Sequence, residues 1–262
     1  DNQIINYQID SYRKIRNTLR FLLGNLNNFN KQNLVDPEEM PELERYLLTR
    51  ISSLNEKLKE LVSKHDYHAI YTALLNFCTL ELSAFYFDIR KDSLYCDDIK
   101  SIKRRSTSTC LHIIFEFLTK WLSPIVSFTC EEAWKSRSYS NEESILLQNV
   151  KDDEFTYKDI SLEKVFEELK RVRKSVTSAL ELKRNEKLIG SSLQAKVILF
   201  LSKDTQKIIA DLDLAEMCIV SNVETHDISS RSKESISIED EEIYVDIKLS
   251  LIHISEPTRR RH

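Results

Sequence analysis

The stretch SYRKIRNTLRFLLGN, residues 11–25, sets a pattern that most of the chain then follows. Ile15, Leu19 and Leu22 recur every three or four residues, which places them on one face of an α-helix. A different face carries polar and basic side chains at the same spacing: Arg13, Arg16, Asn17 and Arg20. Such a helix can pack on one side and hold phosphate groups on the other.

The composition favours helices. The chain has 262 residues, of which 41% are hydrophobic, so it can bury a substantial core. Only 2 glycines and 4 prolines occur, which is too few for a chain rich in tight β-turns. A glycine-rich phosphate-binding loop is excluded for the same reason.

Apolar spacing predicts five helices, over about residues 4–26, 37–61, 66–91, 101–123 and 125–134. Asp36 before Pro37, Asp66 and Ser101 are the predicted starts of three of them. Residues expected to face the core of the third helix are Ile70, Leu74, Cys78, Leu82 and Phe85, and those of the fourth are Ile113, Phe117 and Trp121. Short connections between such helices indicate a bundle over residues 1–140.

The pattern changes after the bundle. Residues 141–160 are polar and acidic and are interpreted as a linker. A long charged helix is predicted over 162–188, strands over 195–200, 217–220 and 242–247, and a helix over 203–212. The fold class is therefore mainly α, a helical bundle followed by a small α/β appendage over 161–248. The stretch LSLIHISEPTR resembles a translated sequencing adaptor, so residues 249–262 are interpreted as a non-native tail.

The charge distribution and the cysteines indicate possible binding partners and the redox environment. The net charge of −4 argues against a simple nucleic-acid binder, but the cations cluster locally. A second cluster opens the fourth helix: Lys100, Lys103, Arg104 and Arg105. Phosphates could neutralise it, and so could Asp97 and Asp98. Five scattered cysteines predict a reducing, cytoplasmic setting without disulfides, and no uninterrupted apolar run approaches the ~20 residues of a membrane span.

The sequence shows no cluster of residues in the spacing that a catalytic or metal-binding site needs. His65, His68 and His112 are separated, and His112 lies in an apolar helical run. Glu131 and Glu132 are adjacent on a predicted helix, so they should point in different directions. No catalytic residue and no metal site is predicted. By spacing alone, the basic face of residues 11–25 could be either an RNA-binding surface or a solvated one.

Several stretches resemble the isoleucine branch of the class I aminoacyl-tRNA synthetases, in their anticodon-binding region. They are SYRKIRNTLRFLLGNLNNF at 11–29, YHAIYTALLNFC at 67–78, LSAFYFDIRKDSLYCD at 82–97, RRSTSTCLHIIFEFLTKWLSPIVSFTCEEAW at 104–134 and RNEKLIGSSLQAKV at 184–197. The fourth is shared with the valine and leucine enzymes and identifies only the superfamily. The resemblance covers about residues 1–225.

The resemblance implies the function. The parent enzyme would be a monomeric isoleucine–tRNA ligase that uses ATP and magnesium, with its catalytic and editing domains upstream of Asp1 and a possible zinc module downstream. This part would be inactive alone and would bind tRNA. Arg13, Arg16, Asn17 and Arg20 would face the anticodon, and Lys91, Arg104 and Arg105 would contact the RNA backbone. The alternatives are a valyl-tRNA synthetase fragment and a non-enzymatic helical scaffold or RNA-binding module.

Overall fold

The computed structural model of the chain describes residues 2–27, 29–138, 143–148, 156–231, 235–237 and 242–250. The chain divides into two compact units, Asp1–Ile160 and Ser161–His262. The described part of the first unit is helical, whereas the second combines helices with a three-stranded sheet. The predicted fold class, a helical bundle followed by a small α/β appendage, is confirmed.

The described residues of the first unit form one π-helical segment and six α-helices. In chain order they are α1 (Asn2–Asn25), α2 (Glu42–Ser63), α3 (Tyr67–Asn76), the π segment (Phe77–Tyr86), α4 (Phe87–Cys96), α5 (Ile102–Leu122) and α6 (Ser127–Lys135). The predicted apolar stripe of α1 is buried at Ile15, Leu19 and Leu22. The residues between these positions are largely exposed, so α1 presents one packed face and one solvated face.

The start of α2 differs from the prediction. A short 3-10 turn spans Pro37–Glu39, and α2 begins only at Glu42. Met40 has an extended backbone with ψ at 149°, because it precedes Pro41 and the proline ring disfavours helical geometry in the preceding residue. Pro41 therefore delays the helix by five residues relative to the expected start at Pro37.

The third predicted helix is continuous over residues 67–96, longer than the expected 66–91. Asp66 caps it as predicted, since its carboxylate accepts a hydrogen bond of 3.0 Å from the Ala69 amide. The residues predicted to face the core are all buried: Ile70, Leu74, Cys78, Leu82 and Phe85. Its middle is the π segment, whose end is marked by a hydrogen bond from the Phe87 amide to the Leu82 carbonyl, five residues earlier.

The helix over residues 67–96 is the one described helix that is long and apolar enough to cross a membrane by length and composition. Counting uninterrupted apolar runs does not predict this, because polar residues are interspersed along the helix. Half of its most apolar window is buried inside the protein.

α5 begins as predicted, with the Ser101 hydroxyl accepting from the Arg104 amide at 3.2 Å. Its expected core stripe is rotated, however. Ile113, Phe117 and Trp121 are only half-buried, and the fully buried residues are Leu111, Ile114, Phe115, Leu118 and Leu122. The indole N–H of Trp121 donates to Asn55 at 2.9 Å, which holds the ring at the edge of the core. Trp134, by contrast, is buried.

The described parts of the predicted linker are packed on the first unit. Ile145 is buried, and its amide donates to the Glu131 carboxylate at 3.0 Å. Further along, the Tyr157 amide donates to the Ser52 hydroxyl and the Asp159 amide donates to Thr49, at 3.1 and 3.0 Å. These contacts hold the described residues of the segment against α2 and α6.

The second unit contains a mixed sheet. Its elements are α7 (Ile160–Asn185), β1 (Ala195–Leu201), α8 (Lys203–Ile208), α9 (Leu214–Cys218), β2 (Asn222–Asp227) and β3 (Tyr244–Leu249). The strand order is β2-β1-β3, with β2 parallel and β3 antiparallel to the central β1. The predictions of a buried strand at 195–200 and an edge strand near 242–247 are confirmed within two residues.

The predicted strand at 217–220 is wrong. Its apolar residues instead end α9, which Asp213 caps by accepting from the Glu216 amide at 3.0 Å. Ile219 then takes a left-handed backbone with φ at 56°, which ends the helix. A four-residue apolar run fits a buried helix end as well as a strand, so periodicity alone could not separate them.

Two residues of the tail interpreted as non-native contact the sheet. Leu249 pairs with Ala195 across β1 and β3. The Ser250 amide donates to the Gln194 carbonyl at 2.8 Å. The rest of the tail, 251–262, lies outside the described residues.

Candidate nucleic-acid interface

The basic residues of α1 lie on its solvated face. Arg13, Arg16, Asn17 and Arg20 are all exposed, and the alternating positions Ile15 and Leu19 are buried. The four predicted residues therefore share one accessible surface, because helical positions three and four apart are neighbours. Their individual roles toward RNA stay predictions.

An open groove runs between α1 and α6, with a volume of 420 Å³; we call it the α1/α6 groove. Its apolar lining residues are Leu19, Leu23, Gly24 and Ala133. Its polar lining residues are Arg16, Arg20, Asn27, Thr129, Glu132 and Ser136. Of the predicted α1 residues, Arg16 and Arg20 line this groove.

Arg16 is held at the groove by partners on both helices. Its guanidinium donates to Glu132 Oε2 at 3.2 Å. The hydroxyls of Tyr12 and Thr129 lie 2.9 Å apart beside it. The hydrogen bond to Glu132, followed by that to Tyr12, raises the pKa of Arg16, so the guanidinium stays charged. Hydrogen bonds from Thr129 and then Arg16 lower the pKa of the Tyr12 phenol.

The other two arginines of α1 are less constrained. Arg13 forms an exposed pair with Asp10 at 3.5 Å, one turn earlier on the same helix. Arg20 has no hydrogen bond or ion pair to any residue in the described part of the chain. An exposed ion pair contributes little energy, so Arg13 can exchange Asp10 for a bound anion at low cost. Arg20 can bind an anion without losing an ion pair to a described residue.

The remaining predicted contacts lie on α4 and α5. The Lys91 ammonium donates to Asp88 at 3.0 Å, and Arg104 donates to the Asp97 backbone carbonyl at 2.6 Å. Arg104 thereby ties the first turn of α5 to the end of α4, and Arg105 is half-buried. Among described residues, no hydrogen bond or ion pair joins this set to the α1 arginines. Phe21 of α1 does stack on Phe87 of α4, with ring centroids 4.2 Å apart.

The adjacent carboxylates of α6 diverge, as predicted. Glu131 accepts from Ser144 and Ile145 and pairs with Lys135 at 2.8 Å, so it fixes the turn after α6. Glu132 points the other way, into the α1/α6 groove toward Arg16. Glu132 was not a predicted site residue. The spacing of Thr129, Glu132 and Ser136 indicates a shared helical face but not the helix that faces it.

The described part of the chain shows no cluster suited to a metal ion. It contains no group of three or more His, Cys, Asp or Glu side chains placed to hold a metal ion. His112 is buried and stacks on Phe29 with centroids 4.7 Å apart. Burial, then the nearby cations, lowers the pKa of His112 to about 4, so the imidazole is neutral at physiological pH and serves the core.

Comparison with known proteins points to one family. The family profile described as "Anticodon-binding domain of tRNA ligase" matches residues 44–199. Lys91, Arg104, Arg105 and Glu132 lie within that range, and α1 precedes it. The chain is 45% identical over 229 residues to the isoleucine–tRNA ligase of Pelagibacter ubique, covering 86% of this chain and 25% of that protein.

Other relatives carry the same name. The chain is 42% identical over 221 residues to isoleucine–tRNA ligase of Agrobacterium fabrum, covering 84% of this chain and 23% of that protein. It is 40% identical over 223 residues to that of Ruegeria pomeroyi, with the same two coverages. The chain therefore spans about a quarter of the length of the curated relatives that it matches.

Proposed function

The chain belongs to the anticodon-binding domain family of tRNA ligases, and we propose that it binds the anticodon region of a tRNA within an isoleucine–tRNA ligase. The observation that carries the proposal is the solvated face of α1, where Arg16 and Arg20 border an open groove. An anticodon loop offers unpaired bases and closely spaced phosphates, which match a groove edged by guanidinium groups.

The whole ligase would join isoleucine to its tRNA with ATP and magnesium in a domain outside this chain. Identity of 40–45% to isoleucine–tRNA ligases supports that assignment. Within the described residues, no metal-binding group is assembled that would supply chemistry here. We propose that the 262-residue chain binds tRNA but does not aminoacylate it, and that it works in the cytoplasm as part of a monomeric enzyme.

Two sets of basic side chains would bind different parts of the RNA. Arg20 carries no competing ion pair among described residues, so it is suited to a phosphate of the loop. Lys91 on α4 and Arg105 on α5 are partly exposed and are suited to the stem backbone. Arg104 is committed to the Asp97 carbonyl, so its contribution to RNA would be weaker than that of its neighbours.

Fluorescence anisotropy of the 262-residue chain with a labelled isoleucine-acceptor tRNA tests the proposal. Binding should weaken with salt, and the log–log slope should be about −0.7 for each single-strand phosphate contacted. A tRNA of the same body with an exchanged anticodon loop should bind more weakly. Absence of binding at low salt would favour the helical scaffold, and equal affinity for both RNAs would exclude anticodon recognition.

A further inference from the structure

We propose that the α1/α6 groove receives one unpaired nucleotide and that Glu132 selects a base carrying an exocyclic amino group. This inference rests on the proposed function and adds a specificity-determining residue to it. Nothing in the composition of a phosphate-binding surface requires a carboxylate, so the presence of Glu132 in a groove that Arg16 and Arg20 also line needs its own explanation.

The shape of the groove suits a nucleotide. Its 420 Å³ lies within the roughly 300–1,000 Å³ of small-molecule sites. Its lining includes the apolar residues Leu19 and Leu23 of α1 and Ala133 of α6, against which the face of a base can lie. Gly24 adds no side chain, and a Cβ placed there would meet nothing within 4 Å, so the groove is open at this point.

The polar lining residues supply both kinds of contact that a nucleotide needs. Arg20 is available for the phosphate, because no described residue pairs with it. Glu132 uses Oε2 to accept from Arg16, and its Oε1 has no hydrogen bond in the described part of the chain. An ionised carboxylate only accepts hydrogen bonds, and a phosphate also only accepts, so Glu132 repels a phosphate and attracts an N–H group.

The base must therefore present donors at its edge. Uracil has only its ring N3–H as a donor, whereas cytosine, adenine and guanine each carry an exocyclic amino group, and it is this group that we propose Glu132 reads. In an unpaired loop this edge is free to be read. The 3.2 Å pair with Arg16 keeps the Glu132 carboxylate oriented across the groove, so Arg16 acts here as a positioning residue.

A purely structural role for the pair gives a different expectation. Arg16 and Glu132 are both at least half-exposed, and such pairs contribute about 0–1 kcal/mol to folding. A surface ion pair of this kind would not make RNA affinity depend on the identity of one base. Base discrimination therefore separates the two explanations.

The experiment compares wild type with Glu132→Gln, using anticodon stem–loop RNAs in which each loop base is changed in turn. Amino groups are removed by cytidine→uridine and guanosine→inosine changes. At one loop position, wild type should lose at least about fivefold in affinity, the lower end of a specific base contact. Glu132→Gln should reduce that difference to less than twofold, about the resolution of the assay. For the parent RNA, the affinity of Glu132→Gln relative to wild type should be no lower at high salt than at low salt.

Glu60→Gln is the matched control. Glu60 and Glu132 are equally exposed, at 62% of the side chain, and each is paired with one cation. Glu60 lies on α2 and does not line the groove, so its variant should keep the wild-type base preference. Circular dichroism melting should show that both variants are folded.

The outcomes separate this inference from the function on which it rests. If wild type binds RNA and Glu132→Gln keeps the full base preference, the inference is overturned and the proposed function stands. A uniform loss over all loop sequences would also overturn it. If wild type does not bind the intact tRNA, both fail.

Discussion

The Arg90 guanidinium donates two hydrogen bonds of 2.7 Å to the Glu44 carboxylate, from Nε to Oε1 and from Nη2 to Oε2. Both side chains are buried, with exposed fractions of 1% and 0%. Tyr86 and Thr107 also donate to Glu44 Oε1, at 3.1 and 3.2 Å. The network joins α2, the end of the π segment, α4 and α5, so it fixes the body on which the basic face of α1 is mounted.

Replacing Arg90 with Met should therefore lower the free energy of unfolding by about 3–5 kcal/mol, because the Glu44 carboxylate would remain buried without its counter-ion. Urea denaturation followed by circular dichroism measures the loss. Arg50→Met is the control, since the Arg50 pair with Glu81 is partly exposed and should contribute less than about 1 kcal/mol. Equal losses in the two variants would contradict the structural role assigned to the buried pair.

Arg20→Ala should weaken tRNA binding and reduce the magnitude of the salt slope by about 0.7, the contribution of one single-strand phosphate contact. The Arg16→Ala, Arg20→Ala double variant should bind more weakly still. Because both side chains are exposed, unfolding free energy should change by no more than about 0.5 kcal/mol per site. Lys64→Ala, at the end of α2, is the control for loss of one positive charge. An unchanged slope in Arg20→Ala would remove Arg20 from the interface.

Gly24 lies in the last turn of α1, and a Cβ there meets nothing within 4 Å. Gly24→Ala should raise the free energy of unfolding by about 0.5–1 kcal/mol, because alanine loses less backbone entropy in a helix. Gly24→Leu should fold equally well but bind tRNA more weakly, since its side chain would occupy the α1/α6 groove. Gly190→Ala, which does not line the groove, controls for a change at glycine. Wild-type tRNA affinity in Gly24→Leu would show that RNA does not enter the groove.

His112 should make the protein sensitive to acid. Its pKa is about 4 in the fold against 6.5 for the ordinary residue. Between these two values the His112 side chain binds more protons in the unfolded chain than in the folded one. Its contribution to the free energy of unfolding is therefore present above pH 6.5 and is lost as the pH drops toward 4. Between pH 7 and 4.5 the loss from this group is about 2–3 kcal/mol. His112→Leu should lose correspondingly less over that range in urea titrations, and parallel pH profiles of the two proteins would refute the assignment.

Thiol labelling should report the fold directly. Cys96 is exposed, and the other four cysteines are buried. Burial raises the pKa of Cys78, Cys130 and Cys218 to about 12 and also raises that of Cys110, which suppresses the reactive thiolate. Ellman's reagent should therefore modify one thiol per native chain and all five in urea. Cys96→Ser should abolish the native reaction, and a remaining fast thiol would indicate that a buried helix is open.

Local patterns predicted the elements that depend on one segment. The apolar stripe and the solvated basic face of α1 follow from spacing within a single helix, and both were recoverable from the sequence. The π segment was not, because steps of four residues from Ile70 to Cys78 and Leu82 fit π geometry as well as α geometry. The delayed start of α2 could have been read from Pro41, whose effect on Met40 is local.

The sequence predicted only part of the site, because some of its residues meet only through the packing of distant helices. Arg16 and Arg20 could be found because they share one helix, but Glu132 is 116 residues from Arg16 and reaches it only through the packing of α6 on α1. Likewise, the sequence could not tell that Arg90 is internal while its neighbour Lys91 is accessible. The difference is set by Glu44 on another helix.

The strand order β2-β1-β3 has a consequence for synthesis. The ribosome makes the central strand first, and its two edges are covered by strands that emerge later. β2 covers one edge once Asp227 has left the exit tunnel, and the other edge stays open until Tyr244 and the following residues of β3 have emerged. A nascent chain that pauses in this interval exposes an apolar, unpaired strand to neighbouring chains. While residues 201–249 are being made, translation speed and chaperone access should therefore govern the yield of folded protein.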